Sequence, residues 1–214
     1  MNCDDLLYRH AELWHAATRH PFLVGIRDGS LSRAAFDTWL VQDYHFVSAG
    51  FRFQALVASG APRGDQRVLV DGLGALVDEL VWFEEQASAR GLSLAVPLEP
   101  ACQAYGDLLA ATAREPYAAA ITSLWAVERA YLEAWRGVRP GAPAYREFVE
   151  HWTAEGFESY VGALAAAADR ALARAGAPAL EAAETAFIRT ARCERDFWQM
   201  AYAGAAEVRK SPGT

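Results

Sequence analysis

The chain has 214 residues, 53% of them hydrophobic and 22% charged, with a formal net charge of -7. That length suits one domain with a sizeable core, and an acidic chain without a basic block is a poor partner for a phosphate backbone. No apolar run reaches the ~18–20 residues of a membrane helix, and the acidic start Met1-Asn2-Cys3-Asp4-Asp5 is unlike a signal peptide, so a cytoplasmic globular protein binding neither nucleic acid nor membrane is expected.

Helix-period patterns cover residues 4–18, 33–59, 65–90, 100–114, 116–137, 143–175 and 178–203, all rich in good helix formers. Ser32, after the turn Arg27-Asp28-Gly29-Ser30, reads as an N-cap. Pro116, Pro143 and Pro178 sit at first-turn positions, where a missing N–H costs little. Gly91, Gly137 and Gly176 fall just past helix ends, where left-handed caps are expected. The 143–175 stretch is expected to break near Trp152-Thr153. Gly72-x-Gly74 follows no strand and reads as close helix packing. No segment sustains period-two alternation, so the predicted fold class is all-α: a single domain over 1–206 of about seven helices, then a polar tail over 207–214.

Three of these helices carry a carboxylate in the middle of their apolar face. In the second, Asp43 fills the slot between Leu40 and Val47, with Phe46 beside it. In the fifth, Ile121, Leu124, Trp125, Leu132 and Trp135 flank Glu128, and Tyr131 follows. In the last, Phe187, Ala191, Phe197, Trp198 and Ala201 flank Glu194. An ionised carboxylate in a core is costly unless it pairs or takes up a proton. Arg52, Arg129, Arg192 or Arg195 could neutralise any one of them as a structural pair. Three together, each beside aromatics, point instead to a cavity for a flat neutral or cationic ligand with N–H groups. There the carboxyls could act as general acid and base. The aromatic content, seven Trp, eight Tyr and ten Phe, suits either a core or a pocket wall.

Cys3, Cys102 and Cys193 are too few and too scattered for a disulfide framework or a zinc site, and the odd count fits a reducing compartment. A carboxylate-bridged metal pair wants Glu-x-x-His, whereas Tyr131 and Phe197 stand three residues after Glu128 and Glu194; no metal centre is expected. Haem would need a histidine in the core, for which His15 is the one candidate. Neither a Gly-x-Ser-x-Gly elbow nor a dinucleotide fingerprint is present.

The segment His20-Pro21-Phe22-Leu23-Val24-Gly25-Ile26-Arg27-Asp28-Gly29-Ser30-Leu31, followed by Phe36-x-x-Trp39-Leu40-x-Gln42-Asp43-Tyr44, resembles the opening signature of the TenA / thiaminase II family. The ending Phe187-x-x-x-Ala191-x-x-Glu194-x-x-Phe197-Trp198-x-Met200-Ala201-Tyr202 resembles its closing signature. The resemblance implies a haem-oxygenase-like α-bundle without haem or other cofactor, assembled as a homotetramer. It implies thiamin salvage: hydrolysis that frees hydroxymethylpyrimidine from an aminomethyl- or formylaminomethyl-pyrimidine, or from thiamin. Carried across, Asp43 would hydrogen-bond the aminopyrimidine edge, and Phe46 with Tyr105 would stack on its ring. Tyr131 would be a polar contact, and Glu194 would protonate the departing nitrogen.

Two positions depart from the thiaminase pattern. The nucleophilic Cys of that branch would stand one turn before Tyr131, where this chain has Val127 beside Glu128. Ser123-Leu124-Trp125-Ala126-Val127-Glu128-x-x-Tyr131 is similar instead to the branch in which a Glu takes over, with Glu128 as base or nucleophile. A family tyrosine is replaced by Trp152, which predicts a bulkier, less polar wall. Besides hydrolysis by the Glu128–Glu194 pair, two alternatives stay open: a non-catalytic pyrimidine-binding or regulatory protein, and a same-fold enzyme for another small molecule.

Overall fold

Asn2 opens the first helix, α1 (Cys3–Arg9): its side chain accepts the Asp5 N–H while the Asp5 carboxylate takes the Asn2 N–H. His10, at φ -117 and ψ 31, interrupts the run, and α2 (Ala11–Thr18) follows. The segment with the family-like opening is itself a helix, α3 (Pro21–Asp28), with His20 Nδ1 accepting the Phe22 N–H and Pro21 in the first turn. Ser32 caps α4 (Arg33–Gly60) by accepting the Ala35 N–H, as expected. Then come α5 (Gln66–Arg90), α6 (Pro100–Thr112) and α7 (Tyr117–Arg136). A 3-10 turn leads into α8 (Arg146–His151), and α9 (Glu155–Arg174) and α10 (Ala177–Val208) complete the fold. The computed structural model describes the backbone of residues 1–208 and the side chains of 1–203; the remainder of the expected 207–214 tail lies outside the described residues.

The class is all-α, as predicted, but the described residues form ten α-helices rather than about seven. The hydrophobic period runs on across His10, so the sequence hides that break. Helix α3 has eight residues, shorter than the window in which a period shows. The break at Trp152-Thr153 falls where it was expected, between α8 and α9. Gly91 closes α5 in the left-handed region at φ 69. Gly137 does not, lying at φ -63, and α9 is capped by Ala175 ahead of Gly176. Pro116 stands at the N-cap of α7 rather than inside its first turn.

Helix α7 is buried nearly all round, including the unbroken run Ala118 to Val127, as befits a central helix. It packs on α10, α9, α2 and α4, and α4 packs in turn on α5, α6 and α10. Most of the aromatic surplus is core. Trp39 meets Trp135 at 5.3 Å, Trp135 stacks on Trp152 at 4.9 Å, and Tyr131 stacks on Trp198 at 5.6 Å. Burying each such ring contributes on the order of 3 kcal/mol, enough to offset the unpartnered indole N–H groups of Trp125 and Trp135.

The glycine pair on α5 divides. A Cβ on Gly72 would come within 2.4 Å of Gln54 Nε2 and 2.5 Å of the Tyr160 hydroxyl, so Gly72 does mark close packing. Gly74 has nothing within 4 Å. Nearby, Gln54 accepts the Tyr160 hydroxyl and donates to the Leu69 carbonyl, tying α4, α9 and α5 together.

Candidate active site

Asp43 lies on the inner face of α4, fully buried. Its partner is a tyrosine, not an arginine: the Tyr131 hydroxyl donates to Oδ2 at 2.6 Å. Trp39, one turn before Asp43, donates its indole N–H to the Tyr131 oxygen at 3.2 Å, which orients that hydroxyl. The other carboxyl oxygen, Oδ1, is buried without a hydrogen-bond partner, and such an orphan calls for an explanation.

Glu194, 1% exposed, is held the same way: the Tyr105 hydroxyl donates to its Oε1 at 2.5 Å. The four arginines that might have neutralised these acids do not. Arg129 pairs with Glu133 and Arg195 with Asp196, while Arg52 and Arg192 face outward.

A small cavity of about 40 Å³ lies between α4, α5, α6 and α7. Asp43, Phe46, Glu128, Tyr131 and Trp152 line it, so five of the seven residues singled out in the sequence meet there. Glu194 and Tyr105 do not line it; they form a hydrogen-bonded pair behind Phe46, whose ring packs on Tyr105 at 4.5 Å. Val127, where a thiaminase-type nucleophile would stand, is on the lining, and none of the three cysteines is. Among the described residues no group of three or more His, Cys, Asp or Glu is arranged to hold a metal ion, and His15 is exposed.

One acid of the site was missed. Glu79 of α5 also lines the cavity, accepting the Trp152 indole N–H on Oε1 at 2.8 Å. Its signal was the one that found the others: Leu69, Gly72, Leu76, Phe83 and Ala87 form the inner face of α5, and Glu79 fills the slot between Leu76 and Phe83. The Trp152 N–H is thus taken up by Glu79, which leaves its ring face to the cavity wall.

Desolvation dominates the electrostatics. Burial pushes Glu194 up to about 8, against the opposing pull of the Tyr105 hydrogen bond. Glu128 also rises to about 8, through burial and then the charges of Glu79 and Glu194. Glu79 rises to about 7 through burial, offset in part by Trp152. Asp43 is held well above the usual carboxylate range by burial, with the Tyr131 bond opposing and Glu79, Glu194 and Glu128 adding to it. Four neighbouring carboxyls cannot all ionise in such a place, so some keep protons at neutral pH, as general acids must.

This has a consequence for stability. These groups bind protons more tightly folded than unfolded, so their contribution is complete below about 4.5 and is lost as pH rises through about 7 to 8. Thermal unfolding should show Tm falling between pH 6 and 8.5. Glu128→Gln should flatten that slope and raise Tm at pH 8.5, by about 2–4 °C for each kcal/mol recovered. A Tm independent of pH in the wild type would contradict the assignment.

Fold and site together define an α-helical bundle with an interior cavity lined by aromatics and uncompensated carboxyls. The TENA/THI-4/PQQC family profile matches residues 7–204, and the chain belongs to that family. It is 35% identical over 206 residues to a Glycine max protein described as "Probable bifunctional TENA-E protein", covering 91% of this chain and 90% of that one. It is 27% identical over 214 residues to the "Aminopyrimidine aminohydrolase" of Halalkalibacterium halodurans, covering 92% and 93%. Among solved structures, a TenA homologue from Pyrococcus furiosus superposes with a TM-score of 0.90 at 28% identity, over 94% of this chain and 100% of that one. The arrangement is the haem-oxygenase-like helical fold.

Proposed function

We infer that the protein is a hydrolase of the thiamin-salvage type, cleaving the C–N bond of an aminomethyl- or formylaminomethyl-pyrimidine to give hydroxymethylpyrimidine. The observation that carries this reading is the buried, unpartnered Oδ1 of Asp43 among carboxyls that no arginine or lysine of the described residues pairs with. An aminopyrimidine edge offers a ring nitrogen beside an exocyclic N–H. A carboxylic acid meets it as donor and acceptor, and a carboxylate meets its protonated form equally well, so Asp43 fits either way. The names of the relatives from Glycine max and Halalkalibacterium halodurans point to the same chemistry.

In this reading Phe46, backed by Tyr105, shapes one wall, Tyr131 and Trp152 the other, and the carboxyls do the proton work. Glu194, protonated and held by Tyr105 behind the Phe46 ring, supplies the proton to the departing nitrogen once that ring turns aside to admit the ligand. Glu128, on the lining and without a hydrogen bond among the described residues, takes the proton from the attacking water. Burial, and for Glu128 the charges of Glu79 and Glu194 as well, makes it costly for both to be ionised together. No thiol lines the cavity, which disfavours thiamin itself as a substrate.

Incubating the purified protein with aminomethylpyrimidine, its N-formyl derivative and thiamin, while following hydroxymethylpyrimidine and ammonia, tests the reading. Turnover of the first two, with thiamin slowest, is expected. Tight pyrimidine binding with no turnover would instead make this a binding protein.

The reading includes a homotetramer in the cytoplasm. Three free thiols suit a reducing compartment. No helix among the described residues is long and apolar enough to cross a membrane. Helix α5 carries a second apolar face, with Val70, Val77 and Val81 each about half exposed, and a second copy of the chain would cover it. Val77→Glu should lower the mass measured by light scattering after gel filtration. A mass that equals one chain in the wild type would overturn the assembly.

A further inference from the structure

A second, larger groove of about 940 Å³ runs between α5 and α9 on the far side of the cavity wall. The two spaces share two lining residues, Glu79 and Trp152, and their mutual hydrogen bond is the partition. On the groove side, His151 Nε2 stands 3.9 Å from the same Glu79 oxygen. Its ring lies flat on Trp82 at 4.2 Å and 6°, and against the edge of Trp152 at 4.8 Å, which fixes its direction. A partly buried histidine is thus held between a cavity acid and an open groove.

The hydrolysis read above gives such a chain a use. Breaking the C–N bond takes a proton from Glu194, and forming the C–O bond delivers one from water to Glu128. Each turnover therefore leaves Glu128 with one proton too many and Glu194 with one too few. Glu194 is bonded to Tyr105, and no hydrogen bond joins the two acids among the described residues. We propose that Glu79 and His151 are the proton port of the active site, carrying protons between Glu128 and water in the α5–α9 groove. Glu128 gives its extra proton to Glu79, Glu79 gives it to His151 Nε2, and the imidazolium releases its other proton to the groove. The next substrate amine, an ammonium in water, recharges Glu194 with its proton as it binds, so each turnover sends one proton out through the port.

The surrounding charges allow this traffic. Glu79 faces Asp43 on α4, Glu128 on α7 and, farther off, Glu194 on α10, all acids. Tyr160 of α9 is kept a neutral phenol by burial. The cations on the groove are already engaged, Arg67 with Asp71 and Arg170 with Asp65. Glu147 on the helix of His151 is bonded by Gln86, and Asp78 lies on the groove wall. Burial raises Glu79 to about 7 and lowers His151, so Glu79 can hold a proton and the imidazole gives one up readily. Neither residue touches the reacting atoms; both act through Glu128.

The proposal rests on the hydrolase reading, and a rescue experiment separates the two. In weakly buffered solution His151→Ala should lower kcat for aminomethylpyrimidine by about ten-fold or more with KM unchanged, and added imidazole should restore it along a saturating curve. Wild-type turnover should not respond to imidazole. Glu79→Gln, which keeps an acceptor for Trp152, should lose kcat similarly and gain nothing from imidazole. A folded His151→Ala protein with wild-type kcat, or one whose lost kcat imidazole does not restore, overturns the port while leaving the hydrolase reading intact. Imidazole rescue of Glu79→Gln equal to that of His151→Ala removes Glu79 from the path. A wild type that hydrolyses no amine derivative overturns both.

Discussion

Glu194→Gln should lower kcat for an aminomethylpyrimidine by about 10²- to 10⁴-fold, the range that removal of a positioned general acid commands. The substitution is nearly isosteric, and its amide oxygen still accepts the Tyr105 hydroxyl that now reaches Oε1 at 2.5 Å. Folding should survive, and Tm above neutral pH should rise, because a buried ionisable group is gone. The proton on the second oxygen is what the change removes. Glu128→Gln should cost a similar factor, and the double variant little more than either single one, because the two groups serve one step. Steady-state kinetics at pH 7 decides it. Wild-type kcat in Glu194→Gln would end its assignment as the acid and move that role to Glu128, which lines the cavity directly.

Asp43→Asn should raise KM for the pyrimidine by about 10- to 150-fold, the equivalent of one hydrogen bond to a charged group at ~1.5–3 kcal/mol. Either amide orientation is unfavourable. With its oxygen toward Tyr131, the amide presents N–H groups to the cavity where the ligand also brings N–H. With the amide reversed, the Tyr131 hydroxyl loses the acceptor it now meets at 2.6 Å, while its oxygen already takes the Trp39 N–H. The free protein should be no less stable, since the unpartnered Oδ1 contributes nothing to folding. Calorimetric titration with hydroxymethylpyrimidine reads the affinity without turnover. Unchanged affinity would remove Asp43 from the recognition edge.

Asp43, Glu128 and Glu194 were legible in the sequence because each interrupts a 3.6-residue apolar period, and a charge there has to be explained. Glu79 interrupts one just as cleanly between Leu76 and Phe83, yet α5 also carries Val70, Val77 and Val81 on its outer side. With apolar residues on two faces, its inner stripe is blurred, and Glu79 reads as one charge among several. The short helix α3 was hidden for a different reason, since two turns are too few to establish a period.

The all-α class, the places of Asp43, Glu128 and Glu194 on apolar helix faces, and the Val127 that stands where a thiaminase has its cysteine can all be read from the chain, because periodicity and composition are properties of each helix alone. Helix packing settled who meets whom. It gave Asp43 to Tyr131 and Glu194 to Tyr105 where arginines had been as plausible, set Glu194 behind the cavity wall, and put Trp152 against Glu79. Those pairings join helices far apart in the chain, and their geometry follows from how the helices pack, which no local pattern records. The net charge of -7 says nothing of this; what matters is that four of the 27 acids lie where water cannot easily solvate them.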